Sequence, residues 1–190
     1  AAIYGCSVDD AKVLKPGPAD EIMAKNLRVI SNMHVDDETE IDVEEIIRLA
    51  TTAVVRDGIR LLVIDPWNEI EHIRKNGESE TDYIGRAIRL LKRFARDYQC
   101  AVWVVAHPRK PSNDGQPHPP SLYDLAGSAN WANKADYGMV CHRHDLSLPR
   151  VEAKVVKVRM GLPGKVGRVA LEYNELTTSY MRDPLGDVPF

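Results

Sequence analysis

The sequence predicts an α/β fold: a twisted, mainly parallel sheet flanked by helices, with a C-terminal antiparallel hairpin. Three observations carry this. Two short apolar runs, Ile59–Ile64 and Ala101–Ala106, have the composition of strands buried on both faces. Two longer stretches, Asp42–Asp57 and Thr81–Tyr98, carry apolar residues at helical spacing. Val151–Arg159 and Val166–Tyr173 alternate with period two around the turn Gly161–Gly164, the pattern of a hairpin. Strands that alternate with helices argue for a parallel sheet joined by right-handed crossovers.

Taken in order, Ala1–Cys6 fits a short strand, and Val8–Asp20 has loop chemistry around Pro16-Gly17-Pro18. Glu21–Asn26 fits a helical turn, Leu27–Ile30 a buried strand, and the polar Ser31–Thr39 a loop. The first long helix presents Val43, Ile46, Ile47, Ala50, Ala53 and Val54 on one face, and Gly58 is placed to end it. The strand that follows stops at Asp65-Pro66, and Glu71–Ser79 reads as a polar, flexible segment. The second helix aligns Ile84, Ala87, Ile88, Leu91, Phe94 and Ala95, and the next strand ends at His107-Pro108. Lys110–Pro120, rich in Pro, Ser, Asn and Gly, is an exposed loop. Tyr137–His142 is a further strand before the hairpin. Residues 1–182 are expected to form one domain and 183–190 a tail. The chain opens Ala1-Ala2-Ile3 without methionine, as expected of a fragment.

Composition narrows the functional classes. A net charge of −3 means that any nucleic acid must be held by local basic patches. Cys6, Cys100 and Cys141 are far apart and odd in number, which disfavours both a disulfide framework and a metal knuckle. A reducing, cytoplasmic setting follows most simply. No apolar run reaches the length of a membrane span, so no membrane partner is expected.

In open parallel sheets, function gathers at the carboxyl ends of strands. Two residues stand there. Asp65 follows four apolar residues, the Walker B pattern, in which a strand-end carboxylate holds a Mg²⁺-bound water beside phosphates. An aspartate that only turns the chain has the same appearance. His107 closes the second strand, where an imidazole can bond a terminal phosphate or simply satisfy backbone. Lys157 and Arg159 form a Lys-x-Arg pair on one strand face, either phosphate-directed or a basic edge that blunts strand pairing. Arg109, Lys110 and Lys134 are the natural nucleic-acid phosphate contacts, with ordinary solvated charge as the alternative. Trp67 and Trp131 either stack on bases or pack the fold or an interface. Gly127-Ser128 offers backbone amides to a phosphate or a simple turn, and Asp124 and Asp136 are candidate helix caps. His142, Arg143 and His144 are clustered without metal spacing and receive no role.

Several of these pieces occur together, in order. They are Leu62-Val63-Ile64-Asp65-Pro66-Trp67-Asn68-Glu69, Tyr83-Ile84-Gly85, Phe94-Ala95-Arg96 and Trp103-Val104-Val105-Ala106-His107-Pro108. Next come Leu122–Trp131 and Asn133-Lys134-Ala135-Asp136, then Lys157-Val158-Arg159 and Gly164-Lys165-Val166-Gly167. Together they resemble the RecA-like motor domain of DnaB-like helicases, and especially the phage and plasmid primase-helicases that include the Twinkle-type enzymes. The resemblance runs from about Leu27 to Tyr180. It implies an ATP- and Mg²⁺-dependent DNA helicase, a ring and most often a hexamer, acting on single-stranded DNA. It implies that Asp65 coordinates Mg²⁺, and that His107 senses the γ-phosphate. The segments after both strands would face DNA, and Lys157 and Arg159 would reach a neighbouring subunit's nucleotide.

One part of such a motor is absent from these residues. No G-x-x-x-x-G-K-[ST] occurs, and Gly164-Lys165 is followed by valine. That loop supplies amides, a lysine and a hydroxyl to phosphates and Mg²⁺, so this chain by itself is not expected to hydrolyse ATP. Asp9 and Asp10 match the family's catalytic base too poorly to be assigned. Two other readings stay open: another RecA-like ATPase of plasmid or phage replication or recombination, and a non-catalytic DNA-binding or interaction module.

Overall fold

The computed structural model describes residues 17–30, 41–108, 119–125 and 128–183. These fall into two compact units. One contains the described residues from 28 to 108 together with 122–125 and 128–135; the other contains 17–27, 119–121 and 136–183. The strand expected at Ala1–Cys6 and the loop at Ser31–Thr39 lie outside the described residues, as do residues 110–118 of the expected Lys110–Pro120 loop and most of the 183–190 tail.

The first unit is a strand–helix–strand crossover. Helix α2 (Val43–Asp57) starts where Asp42 accepts hydrogen bonds from the amides of Glu44 (3.0 Å) and Glu45 (2.8 Å). Those bonds satisfy two of the four orphan donors of a helix start. It ends at Gly58, whose φ of 70° is left-handed and suits glycine. Strand β1 (Leu61–Ile64) then runs parallel to β2 (Ala101–Val104), with Leu61 opposite Ala101 and Ile64 opposite Val104. Helix α3 (Glu80–Asp97) makes the crossover and starts at Ser79, whose hydroxyl accepts from the Asp82 amide. A short helix α4 (Ser128–Lys134) docks on it. There Asn130 Nδ2 donates to the Thr81 carbonyl (2.6 Å) and Lys134 Nζ to the Gly85 carbonyl (3.2 Å). A Cβ at Gly85 would stand 2.7 Å from Lys134 Nζ, so the lysine tip would have to shift for a larger residue.

The core of this unit joins Val43, Ile46 and Ala50 of α2 to Leu62 and Ile64 of β1. Tyr83, Ile84, Ala87, Ile88, Leu91 and Phe94 of α3 complete it, with Trp67 and Trp131. The apolar positions at helical spacing therefore face inward as expected. Two expectations do not hold. The strands bury one face, not two: Leu62 and Ile64 are buried while Leu61 and Val63 are half exposed, as is Trp103. A continuous apolar run alternates in burial wherever only one side of the sheet is covered, and among the described residues this core covers one side. Leu27–Ile30 is not a buried strand. It belongs to no ladder among the described residues, and Leu27, Val29 and Ile30 are exposed. A short apolar run becomes a strand only when a neighbour satisfies its backbone.

Glu71–Ser79 is polar but tied down. The Arg86 guanidinium reaches both oxygens of Glu78, the Glu44 carboxylate at 2.8 Å and the Ile73 carbonyl at 3.1 Å. The Glu71 amide donates to the Ile41 carbonyl.

The second unit holds an exposed helix α1 (Pro18–Asn26) and an antiparallel sheet in the order β3-β4-β5-β6. Its strands are Tyr137–His142, Arg150–Val158, Gly167–Asn174 and Ser179–Arg182. The expected hairpin is β4–β5, with β3 added on one side and β6 on the other. Strand β6 was not foreseen; its apolar content is a single Tyr180-Met181 pair, too little to show a period.

Candidate functional site

Asp65 and His107 stand one and three residues beyond the ends of neighbouring parallel strands, at the same end of the β1–β2 pair. The ladder continues past the strands proper: the Val105 amide donates to the Ile64 carbonyl (2.9 Å) and the Trp67 amide to the Val105 carbonyl (2.7 Å). Asn68 completes the junction, its side-chain oxygen accepting from the His107 amide at 2.9 Å. The turn after one strand thus fixes the exit of the other. The sequence carried a weak signal for Asn68, a polar residue shortly after the strand-ending Asp65-Pro66. Both Asp65 and His107 are exposed.

Trp67, two residues beyond Asp65, belongs to an aromatic cluster that settles the tryptophans. Trp67 and Trp131 are buried and meet edge to face at 5.3 Å, with His72 and Tyr83 beside Trp67. Their rings pack the fold. Tyr83 is buried, which pushes its hydroxyl up to about 12, and burial lowers His72. His72 Nδ1 and the Tyr83 hydroxyl lie 3.3 Å apart, so the cluster is internally bonded.

Of the expected nucleic-acid contacts, Arg109 and Lys110 lie outside the described residues, as does Gly127. Lys134 is engaged within the fold through its bond to the Gly85 carbonyl, and loss of hydration lowers its ammonium.

Lys157 and Arg159 belong to the antiparallel unit. Lys157 pairs with Gly138 at a bulge: Met139 is opposite Val155, so Val156 is the extra residue on β4. Bulges re-aim the side chains beside them. Arg159 lies one residue beyond the strand. Its Nε is 2.7 Å from Asp136 Oδ1, and its amide donates to the Asp136 carbonyl at 2.8 Å. Asp136 therefore does not cap a helix; it follows α4 and binds the residue across the sheet. Among the cluster left without a role, His144 Nε2 lies 3.3 Å from the buried Glu152 carboxylate, and Arg143 donates to loop carbonyls at Leu146 and Leu148. Burial and the neighbouring His144 lower His142.

No group of three or more His, Cys, Asp and Glu side chains among the described residues is arranged to hold a metal. A single strand-end carboxylate is still compatible with Mg²⁺, which keeps several waters and takes few protein ligands when phosphates are present. Cys100 is buried and Cys141 exposed, both as free thiols. No helix among the described residues is long and apolar enough to cross a membrane.

Comparison with known proteins places this arrangement. The Twinkle homolog protein, chloroplastic/mitochondrial, of Arabidopsis thaliana is 39% identical over 148 residues, which cover 75% of this chain and 21% of that protein. The chain thus spans about a fifth of that relative's length. Among solved structures, a DnaB-like replicative helicase described with its interactions with primase superposes with a TM-score of 0.61. It has 25% identity, over 76% of this chain and 36% of that one. A second solved structure, described as an ATPase domain, shares the fold, with a TM-score of 0.59 and 24% identity over 77% of this chain and 53% of that one. The model of the DnaB-like helicase C-terminal domain matches residues 13–182, which spans both compact units. The parallel strand pair ending in Asp65 and His107 and the sheet that carries Arg159 are parts of one family pattern, and this chain belongs to the DnaB-like helicase C-terminal domain family.

Proposed function

We propose that this chain is part of the RecA-like motor of an ATP-dependent DNA helicase, a ring and most often a hexamer, that translocates on single-stranded DNA during replication. The observation that carries the reading is the pairing of Asp65 and His107 at the carboxyl ends of adjacent parallel strands. In such sheets this is where ligands sit. Both units are kept in one motor domain, residues 1–182, because the family match crosses them.

Asp65 supplies a hard oxygen to a hydrated cation, and His107 donates or accepts a hydrogen bond at the terminal phosphate. Asn68 ties the two exits, so a change at His107 reaches the turn after Asp65 through one bond. Mg²⁺ with ATP supplies charge neutralisation at the transferred phosphoryl group. Lys157 and Arg159 serve a neighbouring subunit's nucleotide, the guanidinium meeting charge that develops during transfer. Arg109, Lys110 and Lys134 hold DNA phosphates.

The test uses the full-length gene product. DNA-stimulated ATP hydrolysis is expected, and Asp65→Asn should remove most of it, because a neutral amide holds the cation weakly. The 190 residues alone should hydrolyse ATP negligibly. Full hydrolysis by the Asp65→Asn protein would sink the assignment.

A further inference from the structure

We propose that Asp136 and Tyr137, adjacent residues at the start of β3, are positioning residues that hold Arg159 ready for its phosphate. This inference rests on the reading of Arg159 as a phosphate-directed residue.

Asp136 grips Arg159 at two points, backbone and side chain. The Arg159 amide donates to the Asp136 carbonyl at 2.8 Å, and Nε lies 2.7 Å from Oδ1. A guanidinium held through Nε by a carboxylate has the orientation of its plane fixed. Both side chains are only partly covered, at 42% and 38% exposure, so the pair is reachable from solvent. Tyr137 holds the other end of the same turn: its hydroxyl donates to the Pro163 carbonyl at 3.1 Å. Between these anchors the Leu162 amide donates back to the Arg159 carbonyl at 3.0 Å. Gly161 (φ 87°) and Gly164 (φ 107°) occupy left-handed positions that side chains rarely adopt. The turn that carries Arg159 is therefore braced from two adjacent residues, one just before β3 and one at its first position. A long side chain that must meet a developing charge gains most from such bracing, because misplacement by about 1 Å costs on the order of a hundredfold in rate.

The experiment measures steady-state ATP hydrolysis with DNA present, in the full-length protein. Variants are Asp136→Ala, Asp136→Asn, Tyr137→Phe, Arg159→Ala and the Asp136→Ala/Arg159→Ala double. Asp136→Ala should lower kcat about tenfold to hundredfold with KM for ATP little changed. Asp136→Asn, which keeps an acceptor oxygen, should recover part of that loss, and Tyr137→Phe should cost about threefold. The double variant should be no slower than Arg159→Ala. If Asp136→Ala does not fold, Asp136→Asn and Tyr137→Phe carry the test. Normal kcat in the Asp136 variants beside a dead Arg159→Ala would overturn the bracing and leave the role of Arg159 intact. Normal kcat in Arg159→Ala would overturn that role itself. Asp136→Ala lowering the residual rate of Arg159→Ala by the same factor would make Asp136 a structural staple and overturn the proposal.

Discussion

The two compact units are held together by different physics. In the helical unit, α2, α3, α4 and β1 contribute to one apolar core, and almost every fully buried hydrophobic residue among those described lies there. In the sheet unit, Ala170 is the buried hydrophobic residue, and the buried polar side chains, Glu152 and Asp183, are here. Glu152 meets His144 and Arg168 at 3.3 Å each, and Asp183 meets Arg150 at 2.9 Å. One unit is a small apolar core that supports strand ends. The other is a hydrogen-bonded ladder pinned by ion pairs, with a braced turn. The division suits the proposed roles: Asp65 and His107 need a rigid floor, whereas Arg159 needs a turn fixed in position but open to an outside partner.

This contrast sets the size of the mutational effects. Phe94 is 2% exposed at the centre of the helical core. Phe94→Ala should cost about 3–5 kcal/mol through lost transfer energy and a cavity. Hydrogen exchange resolved by segment should show faster exchange across α2, α3 and β1. Equal loosening of β3–β6 would mean that the units are one cooperative body and would break the comparison. Arg150→Ala leaves the buried Asp183 carboxylate without this partner. About 3 kcal/mol should be lost, seen as faster exchange in β5 and β6 with α3 unchanged. A neutral outcome would show that the ladder alone holds that sheet.

The smallest effect is one of pH. The Arg86 guanidinium, followed by the Lys75 amide, holds Glu78 at about 2, below its ordinary 4.5. A carboxylate depressed on folding stabilises fully above about pH 4.5, and that stabilisation is lost as the pH falls toward 2. Protection of residues 71–79, taken relative to the intrinsic exchange rate at each pH, should therefore fall over that range in the natural protein. In Arg86→Leu it should be low already at pH 7, with little further change. If both proteins respond alike, the Arg86 hub does not anchor that segment.

What could be read from the sequence follows the same division. The helical unit announced itself because apolar periodicity is a local signal. Helices α2 and α3 lie within a residue of their expected limits, and Asp65 and His107 end adjacent strands as their flanking residues implied. Burial was misjudged at Leu61, Val63 and Leu27–Ile30, because composition reports what a segment can bury and not whether a neighbour covers it. In the sheet unit the β4–β5 alternation was legible, but Asp136 was read as a cap. Its partner Arg159 is far along the chain, and no spacing rule links a residue before β3 with one after β4. Asn68 and Arg86 escaped attention for a related reason: their importance lies in which backbone groups or carboxylates they meet, and those meetings exist only after the chain has folded.

The central proposal is that Asp65 of one subunit and Arg159 of another serve a common nucleotide. Mixing two full-length variants, Asp65→Asn and Arg159→Ala, tests it most directly. Each alone should form rings with little ATP hydrolysis. In mixed rings some interfaces pair an intact Asp65 with an intact Arg159, so hydrolysis should reappear on mixing and reach a maximum near equal proportions. If mixed rings form and hydrolysis stays at the level of the separate variants, the account is contradicted, and Arg159 with Asp136 becomes a staple of the sheet unit alone.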